Sequence, residues 1–320
     1  MQSERYIAMG YDIAPENTDK LRAMFPQFVF DVFEKSCQPA PERLERAEVL
    51  FGYGNIEHIP LAINAKYIHT MSAGIDGYFK KIDAHQNKNM LFSNSAGLYG
   101  PAVGEHALAL LLAATHGIKP SVLGMQAGLW KAHPTLGDVN GSTVAILGTG
   151  DIGTNVATAV CAMGARVLGY KRSKAPPAPP YNALFFGEDG LDEMLAEADF
   201  IINCLPGTRY TEGLLNKKRI SRIKKGAIFV NIGRGTVIDQ NAMMRALTDG
   251  TLAAVATDVT DPEPLPQGHP LWQMDNVIIT PHYSGWGVSP SAHADWFAQN
   301  LSAYLAGKPL PGAVNRKWDY

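Results

Sequence analysis

Three short segments each carry one side chain of a type used in acid–base or anion-binding chemistry. Arg234 lies in NIGRGTVID, Glu263 in DVTDPEPLP and His282 in TPHYSG. Histidine can hold and release a proton near neutral pH, and arginine grips carboxylates through charge-assisted hydrogen bonds. Taken singly, each also has a structural interpretation: a surface cation, an acid among prolines and a histidine satisfied within a turn. What they do therefore depends on the rest of the chain.

A glycine-rich turn precedes these segments and has the setting that dinucleotide binding needs. The strand-like run TVAIL leads directly into it, and a helix-compatible run and a second strand-like run, RVLGY, follow. The turn consists of Gly148, Thr149, Gly150, Asp151, Ile152 and Gly153. Its glycines allow a tight bend, close approach of a pyrophosphate and helix packing, and a helix N-terminus favours phosphate charge. This context predicts a dinucleotide site, against the alternative of an ordinary strand–helix turn.

The residues after the second strand favour NADP(H) over NAD(H). An acidic residue about 20 positions beyond the turn normally holds the ribose hydroxyls of NAD. Here the chain has Lys171, Arg172 and Ser173. Two cations and a hydroxyl would attract a 2′-phosphate, whereas NAD would lose its usual ribose acceptor. The alternative is that the two cations are a solvated pair in a surface loop.

Short apolar runs alternate with helical patterns, an order typical of parallel sheets covered by helices. Apolar residues at helical spacing predict a connecting helix from Pro101 to near Gly117, and a last amphipathic helix is predicted at 290–305. We therefore expect an α/β protein of two domains, divided near Pro101. The predicted strands are 47–52, 67–71 and 90–94 in the first series, and 143–147, 167–170, 200–204, 227–232, 255–259 and 277–280 in the second.

Together, and in this order behind the glycine turn, the three segments resemble the D-isomer-specific 2-hydroxyacid dehydrogenase family, which includes glyoxylate/hydroxypyruvate reductases and phosphoglycerate dehydrogenases. The resemblance covers nearly the whole chain. It implies two doubly wound parallel-sheet domains with a cleft between them. The flavodoxin-like substrate-binding domain would comprise 1–100 plus 288–320, and the Rossmann dinucleotide-binding domain 101–287. Besides the turn, the matching motifs are 72–76, 104–106, 205–208, 231–239, 258–265 and 281–282.

The resemblance also implies catalytic roles. His282 would be the acid/base that gives a proton to the carbonyl oxygen as hydride reaches C2 of a 2-oxo acid. Glu263 would favour the protonated imidazole and fix the ring. Arg234 would bridge the carboxylate and the carbonyl of the substrate.

Binding roles follow from the same resemblance. Asp258 would accept from the nicotinamide carboxamide, and the backbone of Ala73 and Gly74 would receive the substrate carboxylate. Further cofactor contacts are implied for Leu205, Pro206, Thr208, Ile232 and His282. The side-chain pocket of the substrate would involve Tyr53, Met71 and Tyr283, each of which could equally be a core or interface residue.

These roles predict hydride transfer between a nicotinamide cofactor and a small 2-oxo acid or D-2-hydroxy acid, with NADPH favoured. An apolar or small substrate suits the aromatic and methionine side chains near the strand ends. The alternative from another class is a dinucleotide-sensing binding protein, like the transcriptional corepressors that share this fold and these three residues. His106, on the connecting helix, is expected to be packed or hydrogen-bonded instead of catalytic.

Composition and charge narrow the partners and the compartment. A net charge of −2 without a basic excess argues against nucleic acid, and the most apolar stretch, 107–114, is too short to span a bilayer. Cys37, Cys161 and Cys204 are scattered, which favours a reducing compartment. Because no metal-ligand spacing is present, we expect no metal. We expect a cytoplasmic protein, and the resemblance implies a homodimer.

Overall fold

The computed structural model describes residues 4–10, 13–33, 39–52, 56–133 and 135–318, and the chain divides into two compact units. Unit 1 comprises Met1–Leu98 and Val288–Tyr320, and unit 2 comprises Tyr99–Gly287. The strands are β1 (Arg5–Met9), β2 (Phe28–Val32), β3 (Ala47–Phe51), β4 (Tyr67–His69), β5 (Leu91–Ser93), β6 (Thr143–Leu147), β7 (Arg166–Tyr170), β8 (Ala183–Phe185), β9 (Phe200–Asn203), β10 (Ala227–Asn231), β11 (Leu252–Thr257) and β12 (Val277–Ile279). The α-helices are α1 (Pro15–Met24), α2 (Pro41–Glu45), α3 (Tyr78–Ala84), α4 (Gly100–Thr115), α5 (Ile118–Gln126), α6 (Asp151–Ala162), α7 (Gly187–Glu197), α8 (Lys217–Ile220), α9 (Gln240–Asp249) and α10 (Pro290–Leu305). Short 3₁₀ segments lie at Ile56–Leu61, Gly235–Val237 and Pro270–Gln273.

Unit 1 is built on a five-stranded sheet in the order β2-β1-β3-β4-β5, and neighbouring strands run parallel. This is the flavodoxin-like order. Helix α10 packs on this sheet, where Phe297 stacks on Phe51 with ring centroids 3.9 Å apart. Both rings are fully buried, so the last helix of the chain completes the core of unit 1.

The sequence interpretation located three of these five strands. The predicted strands 47–52, 67–71 and 90–94 correspond to β3, β4 and β5, each of which ends one or two residues earlier than predicted. It did not locate β1 and β2. Length is not the reason, since β3 also has five residues; a short apolar run fits a strand or part of a buried helix, and periodicity alone does not decide between them.

Unit 2 is built on a seven-stranded parallel sheet in the order β12-β11-β10-β9-β6-β7-β8. The chain therefore starts in the middle, runs outward to β8, and returns to β9 on the other side of β6. That reversal is the topological switch point of a Rossmann fold, beside which ligands bind. The edge strand β8, with three residues, was not predicted from the sequence.

Helices cover both faces of this second sheet. Leu111 of α4 and Val156 of α6 pack on one face. Leu191 of α7 and Met243 of α9 pack on the other. The predicted α/β class, with two doubly wound parallel sheets, is confirmed.

Among the described residues, no single helix has the length and apolar composition of a membrane span. Helices α4 and α5 reach that composition only when taken together, and they are bent by 68° at their junction.

Candidate active site

The ends of six strands of unit 2 lie side by side in one row. Strand register pairs Tyr170 with Leu147, Leu147 with Asn203, Asn203 with Asn231, Asn231 with Thr257, and Thr257 with Ile279. Every predicted cofactor or catalytic residue of unit 2 follows one of these positions in the chain. At about 5 Å per strand, the row places the glycine turn after β6 and His282 after β12 roughly 20 Å apart along one edge.

The glycine turn has the close contacts that its sequence predicts. Gly148 has φ +95, a backbone conformation that L side chains rarely adopt. A Cβ atom on Gly153 would lie 1.9 Å from the Gly148 carbonyl oxygen, so the first turn of α6 presses directly on the preceding bend. Thr149 packs against Gly169 of β7, where an added Cβ would lie 2.8 Å from the Thr149 methyl group. Within the turn, the fold itself thus requires glycine at positions 148 and 153.

Gly150 is different, because a Cβ placed there would meet nothing within 4 Å. This residue is the N-cap of α6, and, as a glycine, it has no side chain that could cap the first N–H groups of the helix. An exposed glycine at a helix N-terminus leaves backbone N–H groups open to an anion and the helix dipole favours negative charge there. These features fit a dinucleotide pyrophosphate.

Asp151 is held by its own unit and turned toward the connecting helix. Its Oδ2 accepts a hydrogen bond of 2.7 Å from the Gly100 N–H at the start of α4. Asn155, one turn further along α6, donates to the Asp151 carbonyl and carboxylate. The carboxylate therefore caps α4, and the contribution of residue 151 to a phosphate site would come from its backbone.

Two buried asparagines that the sequence interpretation did not single out hold the Arg234 loop. Asn203 Nδ2 donates to Asn231 Oδ1 at 2.8 Å, across the ends of β9 and β10. The Asn231 amide then donates to the Arg234 carbonyl at 3.1 Å and its Oδ1 accepts from Gly233. The sequence did contain a signal for this role, because each of the two strands ends in an asparagine. A buried side-chain amide at a strand end needs hydrogen-bond partners, which the following loop can provide.

The Arg234 loop also contacts the loop that carries Glu263. A Cβ on Gly235 would lie 2.1 Å from the Thr260 carbonyl oxygen, so these two backbones are in direct contact. The Thr260 N–H donates to Glu263 Oε1 at 2.8 Å. The Arg234 guanidinium donates to the Gly233 carbonyl at 2.8 Å and is partly exposed.

Glu263 and His282 form a pair, as predicted. His282 Nδ1 lies 2.8 Å from Glu263 Oε2. An ionised carboxylate only accepts, so Nδ1 carries the hydrogen and Nε2 is the ring nitrogen left to exchange a proton. His282 has φ +50, in the left-handed region, and its N–H donates to the Asp258 carbonyl at 2.9 Å. Both side chains remain partly exposed, at 47% for His282 and 37% for Glu263.

Asp258 holds the loop that carries His282. Its buried carboxylate accepts from the Thr280 hydroxyl at 2.6 Å, from the Tyr283 N–H at 3.3 Å and from the Ser284 N–H at 3.1 Å. These bonds bracket His282 on both sides in the sequence. The predicted bond between Asp258 and a nicotinamide carboxamide stays a prediction.

The remaining cofactor candidates lie along the same edge. Lys171, Arg172 and Ser173 follow β7 on the surface, and Lys171 is partly buried. Leu205, Pro206 and Thr208 follow β9, where Thr211 ties the segment by donating to the Pro206 carbonyl at 2.6 Å. Ile232 is buried after β10.

The substrate candidates of unit 1 follow β4. Ala73 accepts a hydrogen bond of 2.8 Å from the side-chain amide of Asn94, and Gly74 accepts one of 2.5 Å from Ser72 Oγ. Met71 is partly buried in the same loop. Tyr53 lies outside the described residues. Tyr283, in unit 2, is 38% exposed beside His282.

Within the described part of the chain, no group of three or more His, Cys, Asp or Glu side chains is arranged to hold a metal ion.

The comparisons with known proteins agree with this geometry. Residues 108–284 match the family model described as D-isomer specific 2-hydroxyacid dehydrogenase, NAD binding domain. Glyoxylate/hydroxypyruvate reductase B of Pectobacterium atrosepticum is 33% identical over 314 residues, which cover 93% of this chain and 95% of that protein. D-3-phosphoglycerate dehydrogenase of Mycobacterium leprae is 33% identical over 263 residues, 81% of this chain but 48% of that protein. The chain thus spans about half the length of the phosphoglycerate dehydrogenase that it matches.

Solved structures show the same likeness over the full chain. A D-isomer specific 2-hydroxyacid dehydrogenase from Xanthobacter autotrophicus Py2, in complex with NADPH and MES, superposes with a TM-score of 0.83. It is 25% identical, and the match covers 99% of this chain and 100% of that one.

A Rossmann sheet with a glycine turn at its switch point is typical of dinucleotide-binding proteins. More particularly, the chain belongs to the D-isomer specific 2-hydroxyacid dehydrogenase family. The resemblance drawn from the sequence is confirmed, and so is the prediction of a dehydrogenase or reductase that acts on 2-hydroxy or 2-oxo acids.

The two glycines Gly150 and Gly153 provide a test of the turn. We expect Gly150→Ala to fold with an unchanged Tm, since its methyl group meets no protein atom, but to bind NADPH at least about tenfold more weakly, since the methyl group fills space that a phosphate needs. Gly153→Ala is the contrasting variant, and we expect it to lower the free energy of unfolding by about 1–3 kcal/mol. Thermal unfolding and NADPH fluorescence titration measure both. Unchanged NADPH affinity in Gly150→Ala would place the cofactor elsewhere.

Proposed function

We propose that this protein reduces a small 2-oxo acid to the D-2-hydroxy acid, using Arg234, Glu263 and His282, with NADPH as the favoured cofactor. The observation that carries the proposal is the 2.8 Å bond between His282 Nδ1 and Glu263 Oε2, at the same sheet edge as the glycine turn. A histidine oriented by a carboxylate in this way can exchange a proton through Nε2.

Arg234, Glu263 and His282 each have a separate role in the proposed reduction. When bound, the reduced nicotinamide supplies a hydride to C2 of the substrate. The Arg234 guanidinium binds the substrate carboxylate and draws electron density toward the carbonyl oxygen. His282 Nε2–H delivers the proton to that oxygen, and Glu263 keeps Nδ1 protonated and the ring in place. Reduction consumes one hydride and one proton per 2-oxo acid, and oxidation returns them by the same path.

A small or apolar substrate is supported by the aromatic side chains that follow His282. Tyr283 is 38% exposed and Trp286 83% exposed, with ring centroids 6.1 Å apart. A panel of glyoxylate, pyruvate, hydroxypyruvate, 2-oxoisovalerate and 2-oxoisocaproate with NADPH tests the substrate class by loss of absorbance. Tight NADPH binding without turnover of any of them would instead favour the dinucleotide-sensing alternative.

The acid/base assignment predicts the behaviour of His282→Ala. Without the imidazole, the carbonyl oxygen has no positioned proton donor, so we expect kcat to fall by about 10²–10⁴-fold while NADPH still binds. Steady-state kinetics and NADPH fluorescence titration measure the two quantities. His116→Ala is the matched control, since His116 is exposed at the C-terminus of α4 and contacts none of the three residues. Near-normal turnover in His282→Ala would refute the proposed mechanism.

The preference for NADPH rests on the residues after β7. Lys171 and Arg172 stand where an NAD-binding site has its ribose-binding carboxylate, and the NADPH complex of the similar Xanthobacter protein supports the same choice. Both side chains lie beyond the end of a strand next to the glycine turn, where the adenosine half of the dinucleotide would reach.

The double variant Lys171→Asp, Arg172→Ala tests this preference. We expect the NADPH/NADH ratio of kcat/KM to fall by about 10- to 100-fold, because charge-assisted bonds to the 2′-phosphate are lost and a ribose acceptor is gained. Lys217→Asp with Lys218→Ala makes the same charge change at exposed positions of α8 and should leave the ratio unchanged. An unchanged ratio in the first variant would show that the two cations do not read the phosphate.

We also propose that the chain acts as a homodimer in the cytoplasm. None of the described residues of α5 is buried, and the segment after it also has exposed apolar side chains. Met125 is 70% exposed, Leu129 61%, and Trp130 fully exposed. So large an apolar surface is rare on a monomer, and a second copy of the chain would cover it. A cytoplasmic location agrees with Cys161 and Cys204 being free thiols, and export of the native chain to an oxidising compartment would contradict it.

The dimer predicts a change of mass in the variant Leu129→Lys, Trp130→Glu. Charges in the centre of the apolar surface are unfavourable when buried, so we expect light scattering to give half the mass of the unchanged protein. Met24→Glu, at a 50% exposed apolar residue of α1, is the control and should keep the larger mass. A monomeric mass for the unchanged protein would contradict the proposal directly.

A further inference from the structure

His106 lies on α4, outside the three catalytic residues, and yet it contacts the loop that carries His282. Its Nε2 is 3.0 Å from the Thr280 hydroxyl oxygen and 3.6 Å from Asp258 Oδ1. Its ring meets Tyr283 edge-on, with centroids 5.1 Å apart and an interplanar angle of 72°. His106 thus touches residues on both sides of His282 in the sequence.

The direction of these hydrogen bonds follows from their chemistry. The Asp258 carboxylate only accepts, and at 2.6 Å the hydrogen of the Thr280 hydroxyl is committed to it. Thr280 Oγ1 can therefore only accept from His106, which requires a hydrogen on His106 Nε2. The chain of donors runs from His106 to Thr280 to Asp258, and Asp258 in turn accepts from the Tyr283 and Ser284 N–H groups.

The segment held by these hydrogen bonds contains a residue in an unfavourable backbone conformation. His282 has φ +50, which costs free energy in a residue other than glycine and persists only where neighbouring contacts enforce it. Three of those contacts come from Asp258, whose carbonyl accepts from the His282 N–H and whose side chain accepts from the N–H groups of the two residues that follow. Loss of an enforcing contact would let the imidazole move relative to the substrate, and misplacement by about 1 Å costs about 10²-fold in rate.

We infer that His106 is a positioning residue of the reductase, which acts as a hydrogen-bond donor through Thr280 and Asp258 to hold His282 in its left-handed conformation. His106 exchanges no proton with the substrate. The inference rests on the proposed role of His282. It predicts that kcat depends on a hydrogen-bond donor at the position of His106 Nε2 and not on an ionisable ring.

Replacements that keep or remove the donor test this directly. His106→Leu removes it. His106→Gln restores an N–H, because its Nε2 is the same number of bonds from Cα as that of histidine. Thr280→Val interrupts the chain one step later with little change of shape. His116→Leu is the control, since it makes the same change at the exposed residue that follows α4.

The readouts are kcat and KM for the preferred 2-oxo acid, the Kd for NADPH, Tm and the pH profile of kcat. We expect kcat to fall by roughly 10- to 100-fold in His106→Leu and Thr280→Val, with the Kd for NADPH within about threefold of the unchanged protein. His106→Gln should recover most of kcat with the pH profile unchanged. The double variant His106→Leu, Thr280→Val should be no slower than either single variant, because both substitutions break the same series of hydrogen bonds.

Other outcomes overturn the inference. If His106→Leu turns over within twofold of His116→Leu, His106 does not position His282. If His106→Gln is as slow as His106→Leu, the ring itself or its ionisation is needed, and the donor role is wrong. Should His106→Leu fail to fold, Thr280→Val decides alone, with normal turnover counting against the inference. The proposed function is tested separately by His282→Ala, whose expected loss of kcat does not depend on the outcome at His106.

Discussion

The parallel register of unit 2 is the constraint on which the rest of the site depends. Because six strands end in one row, from Tyr170 across to Ile279, each following residue emerges at the same edge of the sheet. Residues more than a hundred positions apart in the chain are thereby placed at fixed intervals of one strand spacing. A shift of register by one residue would turn every side chain of a strand to the opposite face of the sheet, so the hydrogen bonding of the strands also determines which residues begin each loop.

Buried polar side chains convert this row into a set of fixed loops. Asn203 and Asn231 bridge two strand ends and hold the backbone at Arg234, and Asp258 does the same for the loop that carries His282. A buried amide or carboxylate is costly unless its partners are in place, so each of these groups penalises any rearrangement of its loop. The loops that carry the partly exposed catalytic side chains are therefore held in place by buried hydrogen bonds as well as by packing.

Local signals explain what the sequence could predict. The glycine turn was predictable because its strand, bend and helix are consecutive in the chain and each glycine answers a steric need, as the contacts of Gly148 and Gly153 show. The pairing of Glu263 with His282 was predictable only through the family resemblance, since nothing in their spacing places one beside the other. Both expectations agree with the structure.

What escaped prediction depends on contacts between distant segments. The bond from Gly100 to the Asp151 carboxylate joins residues 51 positions apart, and the bond between His106 and Thr280 joins residues 174 apart. Neither has a local pattern, so His106 could be expected to form a hydrogen bond but its partner could not be named. The strands β1, β2 and β8 were missed although β3, β4 and β5, which were predicted, span the same range of lengths, because the local pattern of a short apolar run fits a strand or a buried helix equally well.

The crossing of α4 over α6 has a consequence of its own. At Gly104 an added Cβ would lie 3.1 Å from the Asn155 Cβ, so the two helices meet nearly backbone to backbone. Helix α6 begins at the glycine turn, and α4 carries His106 two residues beyond the crossing. A methyl group at position 104 would require its neighbour on α6 to move by a few tenths of an ångström. A glycine that touches no reacting atom thus allows close packing between the helix that begins at the glycine turn and the helix that carries His106.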